Sequence, residues 1–324
     1  MLPVPERRRG FSLVEMVVVI AITGILGAML AMLIKGPVQG YLDSAQRAGM
    51  TDEADTVFHR LMRDVRLALP NSVRVINGTG GQTCNGTTDV CFLEYLEMVA
   101  GGRYNTDTTS CFSTVSMVSG VVGCLVSMGD LVAGAAGATS SVLVNGRGTI
   151  SASAVVEACA TSGVSCGYNY GAAISAVTNS GIDAADDIVY LTASSVFPAT
   201  NLSGNHRFQI VNTPVSYVCD PTSGMLVRYW NYGIQPGQPN SIATAPLASA
   251  STSSAVLASH VSSCRFTVAY ITDASGQSGV LVSVPLGIAR QNAGDGQSDK
   301  LTLYGTIYVG SESSVYGGAN GGVP

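Results

Sequence analysis

Charge is scarce in this chain of 324 residues: only 11% are Asp, Glu, Lys or Arg. A disordered, charge-rich protein needs the opposite composition, so that class is excluded. The net charge is −5, and a chain without basic excess makes a poor partner for nucleic acid. Histidine is rarer still: His59, His206 and His260 are scattered, without the HExxH spacing of a metal site. No P-loop is present, so any ATP-driven step belongs to another protein. GVSCG at 163–167 fits G-x-S-x-G, but its Cys166 closes a short cysteine loop and the strand-to-helix setting of a nucleophile elbow is missing. No constellation of acid, base and nucleophile emerges, so no catalytic residue, metal or cofactor is expected and the chain reads as non-enzymatic.

Apolar residues are plentiful at 46%, with a mean hydropathy of +0.33, enough for a sizeable core in one large domain or two small ones. Eight cysteines form an even set: Cys84, Cys91, Cys111, Cys124, Cys159, Cys166, Cys219 and Cys264. CNGTTDVC and CATSGVSC share a C-x6-C spacing that suits disulfides closing short loops, whereas zinc favours tighter pairs with further cysteine or histidine partners. Local pairing gives Cys84–Cys91 and Cys159–Cys166, and elimination leaves Cys111–Cys124 and Cys219–Cys264. Disulfides place the bulk of the chain in an oxidising compartment.

The long hydrophobic run lies near the amino terminus. Met16 to Ile34 carry no charge, and with Phe11 to Val14 the run is long enough for a transmembrane helix. Arg7, Arg8 and Arg9 precede it, which orients the amino terminus to the cytoplasm. A secretory signal peptide would need a small-residue cleavage site after the apolar core, and only Gly24 and Gly27 partly substitute. Glu15 stands against a plain membrane span, where a carboxylate costs about 2.5 to 3.5 kcal/mol on insertion scales.

RRRGFSLVEMVVVIAITGIL (7–26) resembles the class III signal of type IV pilins and type II secretion pseudopilins: basic leader, Gly10, Phe11, and Glu15 on the fifth residue after the glycine. The resemblance implies cleavage between Gly10 and Phe11 by a prepilin peptidase, methylation of the new Phe11 amine, and a membrane anchor over 11–35 that becomes a filament core. It implies other major and minor pilins and an inner-membrane assembly platform as partners. It also gives Glu15 a role: in a low-dielectric helix bundle its carboxylate is tolerated when paired with a neighbour's Phe11 amine, which sets register. Relatives thought to cap the filament tip can lack this glutamate, so its presence here implies a position below the tip or in the shaft.

The implied fold is α+β, a long amino-terminal helix packed on an antiparallel β-rich head with disulfides. Lys35, Gly36, Pro37 and Gly40 are expected to kink or locally melt the helix. A second, amphipathic half covers 36–70, with Ala54, Val57, Phe58, Leu61, Val65 and Ala68 as one apolar stripe and Asp52, Asp55, Arg63, Asp64 and Arg66 on other faces. If helical throughout, Phe11 to Leu69 would span roughly 89 Å. Pro70 is expected to end it, and NSVRVIN to open the head over 71–324.

The head reads as short strands: VCFLEYLEMV, SSVLVNG, DDIVYLTAS, HRFQIVN, VSYVC, GMLVRYWNYG, RFTVAYITD, GVLVSVPLGI and KLTLYGTIYVG. Residues 112–200, rich in Gly, Ala and Ser, suit an inserted lobe, and their apolar run at 116–138 suits strands and turns rather than a second span. The tail 311–324 lacks periodicity and is expected to be loosely held. Asp295 and Asp299 share a turn that ordinary turn chemistry explains better than calcium. Tyr229, Trp230 and Tyr232 form the dense aromatic group, which suits either a partner or ligand patch or, by strand alternation, a core.

Overall fold

The computed structural model describes residues 11–69, 72–103, 124–127, 141–144, 168, 172–178, 188–191, 207–272, 278–291 and 298–310. Arg7, Arg8, Arg9, Gly10, Pro70, Cys111, Cys159, Cys166, His206, Asp295 and the tail from 311 lie outside these residues, as do the side chain of Cys124 and most of 112–200.

Helix α1 runs over Leu13–Arg66. Its assignment is unbroken through Pro37, so the chain does not melt there as expected. Proline removes one N–H from an otherwise intact ladder, and the turns on either side keep theirs. The helix also stops short of Pro70. Leu67 caps it, the Leu69 N–H donates to the Leu96 carbonyl (2.9 Å) and the Met98 N–H to that of Leu67 (2.8 Å), so strand-like bonds draw the chain off the helix axis.

The first half of α1 is exposed; the second buries Met50, Ala54, Val57, Phe58, Leu61, Val65 and, just beyond its end, Ala68. Those spacings of three and four put one stripe against the head. Asp64 departs from expectation: it lies in the buried face, with a side chain 7% exposed.

Among the described residues the head holds two antiparallel sheets. In the larger, β1 (Arg74–Asn77) pairs β2 (Cys91–Arg103), which pairs β7 (Arg207–Asp220). The far edge of β7 is shared: its second half pairs β8 (Met225–Trp230), which pairs β9 (Ser253–Ala258), and its first half pairs β4 (Ser141–Val144). Strands β5 (Ala172–Thr178), β6 (Ile188–Leu191) and β3 (Cys124–Val126) continue the sheet from β4. The second sheet centres on β12 (Ser278–Gln291), with β13 (Ser298–Gly310) on one edge and β10 (Val261–Cys264) and β11 (Thr267–Thr272) in line on the other.

Two prolines explain details of this layout. HRFQIVN and VSYVC are one strand, β7, carried past Pro214 beside a register shift between Leu96 and Met98 of β2. A bulge there absorbs the donor that proline lacks. Pro285 of β12 falls opposite the gap between β10 and β11, where the Arg265 N–H still reaches its carbonyl (3.3 Å). Strands β5, β9 and β10 escaped the sequence reading because their Ser- and Ala-rich sequences lack clear alternation.

The main core lies between the inner faces of both sheets and α1, with Leu93, Tyr95, Val215 and Tyr217 on one side and Val280, Val282, Val284 and Ile307 on the other. At Gly305 of β13 the helix approaches closely: a Cβ there would collide with the Phe58 ring. Gly305→Ala is therefore expected to destabilise the protein by about 1–3 kcal/mol through overpacking, read from its denaturation midpoint. A loss no larger than that of an exposed alanine substitution would disprove the close approach.

Disulfides join Cys84 to Cys91 and Cys219 to Cys264. The first closes a local loop; the second links β7 of the large sheet to β10 of the small one.

Candidate functional site

The candidate site is the amino-terminal helix and its attachment to the head. Ser12 caps α1 in extended geometry, and the Met16 N–H closes the first turn on the Ser12 carbonyl (3.2 Å). Phe11 stands just outside the helix, 80% exposed, and Glu15 sits in the first turn. A carboxylate there interacts favourably with the positive helix end, typically by about 0.3–1 kcal/mol. Phe11 and Glu15 are thus adjacent at one tip, and the apolar residues around and beyond them have no partner among the described residues: Val14, Ile20, Ile25, Leu30 and Leu33 are all more than half exposed. The helix is long and apolar enough to cross a membrane.

Polar ties at Arg47, Glu53 and Asp64 fasten the second half of α1 to the head. Arg47 grips Asp299 of β13 in a two-pronged contact, Nε to Oδ2 at 2.8 Å and Nη2 to Oδ1 at 3.1 Å. That hydrogen bond and charge hold the Asp299 carboxyl below its ordinary range. Both carboxylate oxygens of Asp299 are thus engaged by Arg47. One turn and a half further on, Glu53 accepts the Ser259 N–H (2.7 Å) on Oε1 and meets Arg290 of β12 (2.7 Å) on Oε2.

The third tie is buried. Asp64 Oδ2 accepts the Tyr217 hydroxyl (2.8 Å) and lies 2.9 Å from Arg228 Nε, with Arg60 at 3.6 Å; Arg63 approaches Oδ1 at 3.5 Å. Arg228, 9% exposed in its side chain, also spreads its guanidinium over the Trp230 ring at 4.8 Å. Burial, reinforced by Asp64, pushes the Tyr217 hydroxyl up, so it remains a donor. Two residues of the sheet thereby fix the rotation of the helix about its axis. Nothing in the sequence pattern pointed to Asp64 or Arg228, since their separation along the chain hides the contact.

The aromatic group expected at 229–232 is divided by the sheet. Tyr232 is buried with Phe92, Val218 and Leu247 on the outer side of the large sheet, where Tyr229 also packs, while Trp230 lies against the main core. They do not form one exposed patch, because successive strand residues point to opposite faces. His59 is exposed on α1 and His260 lies in the turn between β9 and β10, so those two histidines are not brought together. Among the described residues no cluster of His, Cys, Asp and Glu has the arrangement of a metal site.

Residues 6–31 match the family defined by the prokaryotic N-terminal methylation motif. No curated protein and no solved structure matches the chain. The motif indicates a type IV pilin-like or pseudopilin-like protein, membrane-anchored through its apolar helix, processed by a prepilin peptidase and assembled with other pilins. It indicates a structural role. The long apolar helix packed on disulfide-bonded antiparallel sheets is consistent with the α+β type IV pilin fold.

Proposed function

We propose that this chain is a minor pilin of a type IV pilus like that of the mannose-sensitive haemagglutinin system, similar to its minor pilin MshO. Cleavage between Gly10 and Phe11 frees the Phe11 amine at the head of α1, and that amine is then methylated. The inner-membrane assembly platform then moves the subunit into the filament, near the tip, where it helps other minor and major pilins begin assembly and so supports adhesion. Before assembly the amino terminus is cytoplasmic, residues 11–35 cross the inner membrane and the head is periplasmic; afterwards the head is extracellular.

The observation that carries this reading is the pairing of an unpartnered apolar half-helix, tipped by Phe11 and Glu15, with a second half firmly held by the head. An apolar half-helix of that length needs lipid or other helices around it. The finer resemblance rests on EADTVFHRLMRDVRLALPNSVRV, CFLEYLEMVAGGRYNT, HRFQIVNTPVSYVCD and LVRYWNYGI, in that order. Those same segments form the helix-to-sheet exit and strands β2, β7 and β8. The LPNSVRV exit favours a second reading, a J-type minor pseudopilin of type II secretion.

Surface pili and exported protein, counted in parallel in a strain carrying Glu15→Ala, separate the two. Loss of most pili with normal export is the expected result. Normal pili with blocked export would move the protein to the secretion machinery.

A further inference from the structure

The outer face of the large sheet holds a carboxyl group with no exposure at all. Glu94 of β2 is 0% exposed and lies beneath the segment 231–252, which has no regular secondary structure and carries no charged residue. Its Oε2 accepts from Arg74 Nε of β1 at 3.0 Å, and its Oε1 accepts the Tyr232 hydroxyl at 3.2 Å, which is itself 2.6 Å from the Ser216 hydroxyl of β7. Arg74 spends its other donors on the covering segment, Nη1 on the Pro236 carbonyl (2.7 Å) and Nη2 on that of Gln235 (3.0 Å). Its guanidinium lies 3.5 Å from the centre of the Tyr168 ring. Among the described residues, the titratable and charged groups facing Glu94 are thus Arg74, Tyr232 and Tyr168.

Ile234 anchors the cover against the buried cluster of Leu69, Leu96, Met98, Tyr168 and Val211. Gln238 donates to the carbonyls of Arg74 (3.3 Å) and Phe92 (3.1 Å), and Leu247 packs beside Tyr232. Tyr232, Gly233, Gln235, Pro246 and Ser249, all residues of the cover itself, line a groove open to solvent.

We propose that residues 231–252 are a proton-linked cover of Glu94, shut firmly while the carboxyl holds its proton and loosened when the carboxyl ionises. The physical reason is desolvation. A buried carboxylate loses hydration that one shared arginine and one tyrosine replace incompletely, and opening the cover returns it to water. Burial accordingly pushes the Glu94 carboxyl up to about 7, from an ordinary value of 4.5, against the lowering effects of Arg74 and Tyr232. The sign follows: the closed form binds the proton more tightly, so opening releases a proton and raising the pH through that window favours opening.

Amide hydrogen exchange of the full-length protein in detergent micelles, corrected for the intrinsic pH dependence of exchange, tests this. Protection of amides in 233–250 is expected to fall by up to about tenfold per pH unit between pH 5 and 7 and to level off above. Amides of β12 are expected to show no such slope. Glu94→Gln should abolish the slope, and Tyr232→Phe, which removes a bond to the carboxylate, should retain it at higher pH. A flat wild-type profile, an unchanged slope in Glu94→Gln, or an equal slope in β12 would each overturn the proposal; if Glu94→Gln does not fold, the wild-type and Tyr232→Phe profiles decide.

Discussion

Asp64→Ala is expected to destabilise the protein by about 3–5 kcal/mol, because it strands the Arg228 guanidinium in the interior without its anion. Asp64 and Arg228 are 7% and 9% exposed, so water cannot substitute for the lost partner. The substitution also leaves the Tyr217 hydroxyl without an acceptor in a buried setting, and an unsatisfied polar group adds about 1–3 kcal/mol of its own before relaxation. Chemical denaturation in detergent, followed through Trp230 fluorescence, reads this directly, since Trp230 is the single tryptophan and lies under Arg228. Asp64→Asn, which keeps the acceptor but not the charge, should fall between. Combining Asp64→Ala with Arg228→Met should recover much of the loss, because an apolar pair of similar volume no longer buries a lone cation. If Asp64→Ala costs less than about 1 kcal/mol, the pair behaves like a surface ion pair and does not fix the helix.

Removing the Cys219–Cys264 bridge, as a double alanine variant, should cost about 4 kcal/mol by the chain-entropy estimate for its loop. The bridge spans a sequence separation of 45 and ties β7 to β10, so its loss releases a long closed loop in the unfolded chain and raises that chain's entropy. Removing Cys84–Cys91, with a separation of only 7, should cost less, about 2 to 3 kcal/mol. Denaturation of both variants beside the wild type checks the order as well as the size. Equal losses would mean that native packing around the sulfurs, rather than loop entropy, sets their contribution.

Much of this architecture was legible in the chain because it depends on neighbours in sequence. The apolar run at 11–35 needs only composition, and the stripe from Ala54 to Ala68 needs only helical spacing; both are exposed and buried in α1 as those patterns require. The C-x6-C spacing likewise points to the local Cys84–Cys91 loop. Reading failed where distant groups decided the outcome. Asp64 looked like part of a solvated face, and only Arg228 and Tyr217, arriving from the sheet, make its burial tolerable. The helix ends at Arg66, before Pro70, where backbone bonds of Leu69 to Leu96 and of Met98 to Leu67 draw the chain away.

The aromatic triplet shows the same division. Its residues stand out in the sequence, but which face each takes depends on the pleat of β8 and on what covers the outer sheet. By itself the sequence determined the anchor helix, its Phe11 and Glu15 tip, the β-rich character of the head and the local cysteine loop, since each arises from short-range periodicity or spacing. Only the tertiary structure decided where the helix is held, which charges are buried and that Glu94 lies sealed beneath 231–252. Desolvation and ion pairing act through space, between residues that the chain keeps far apart.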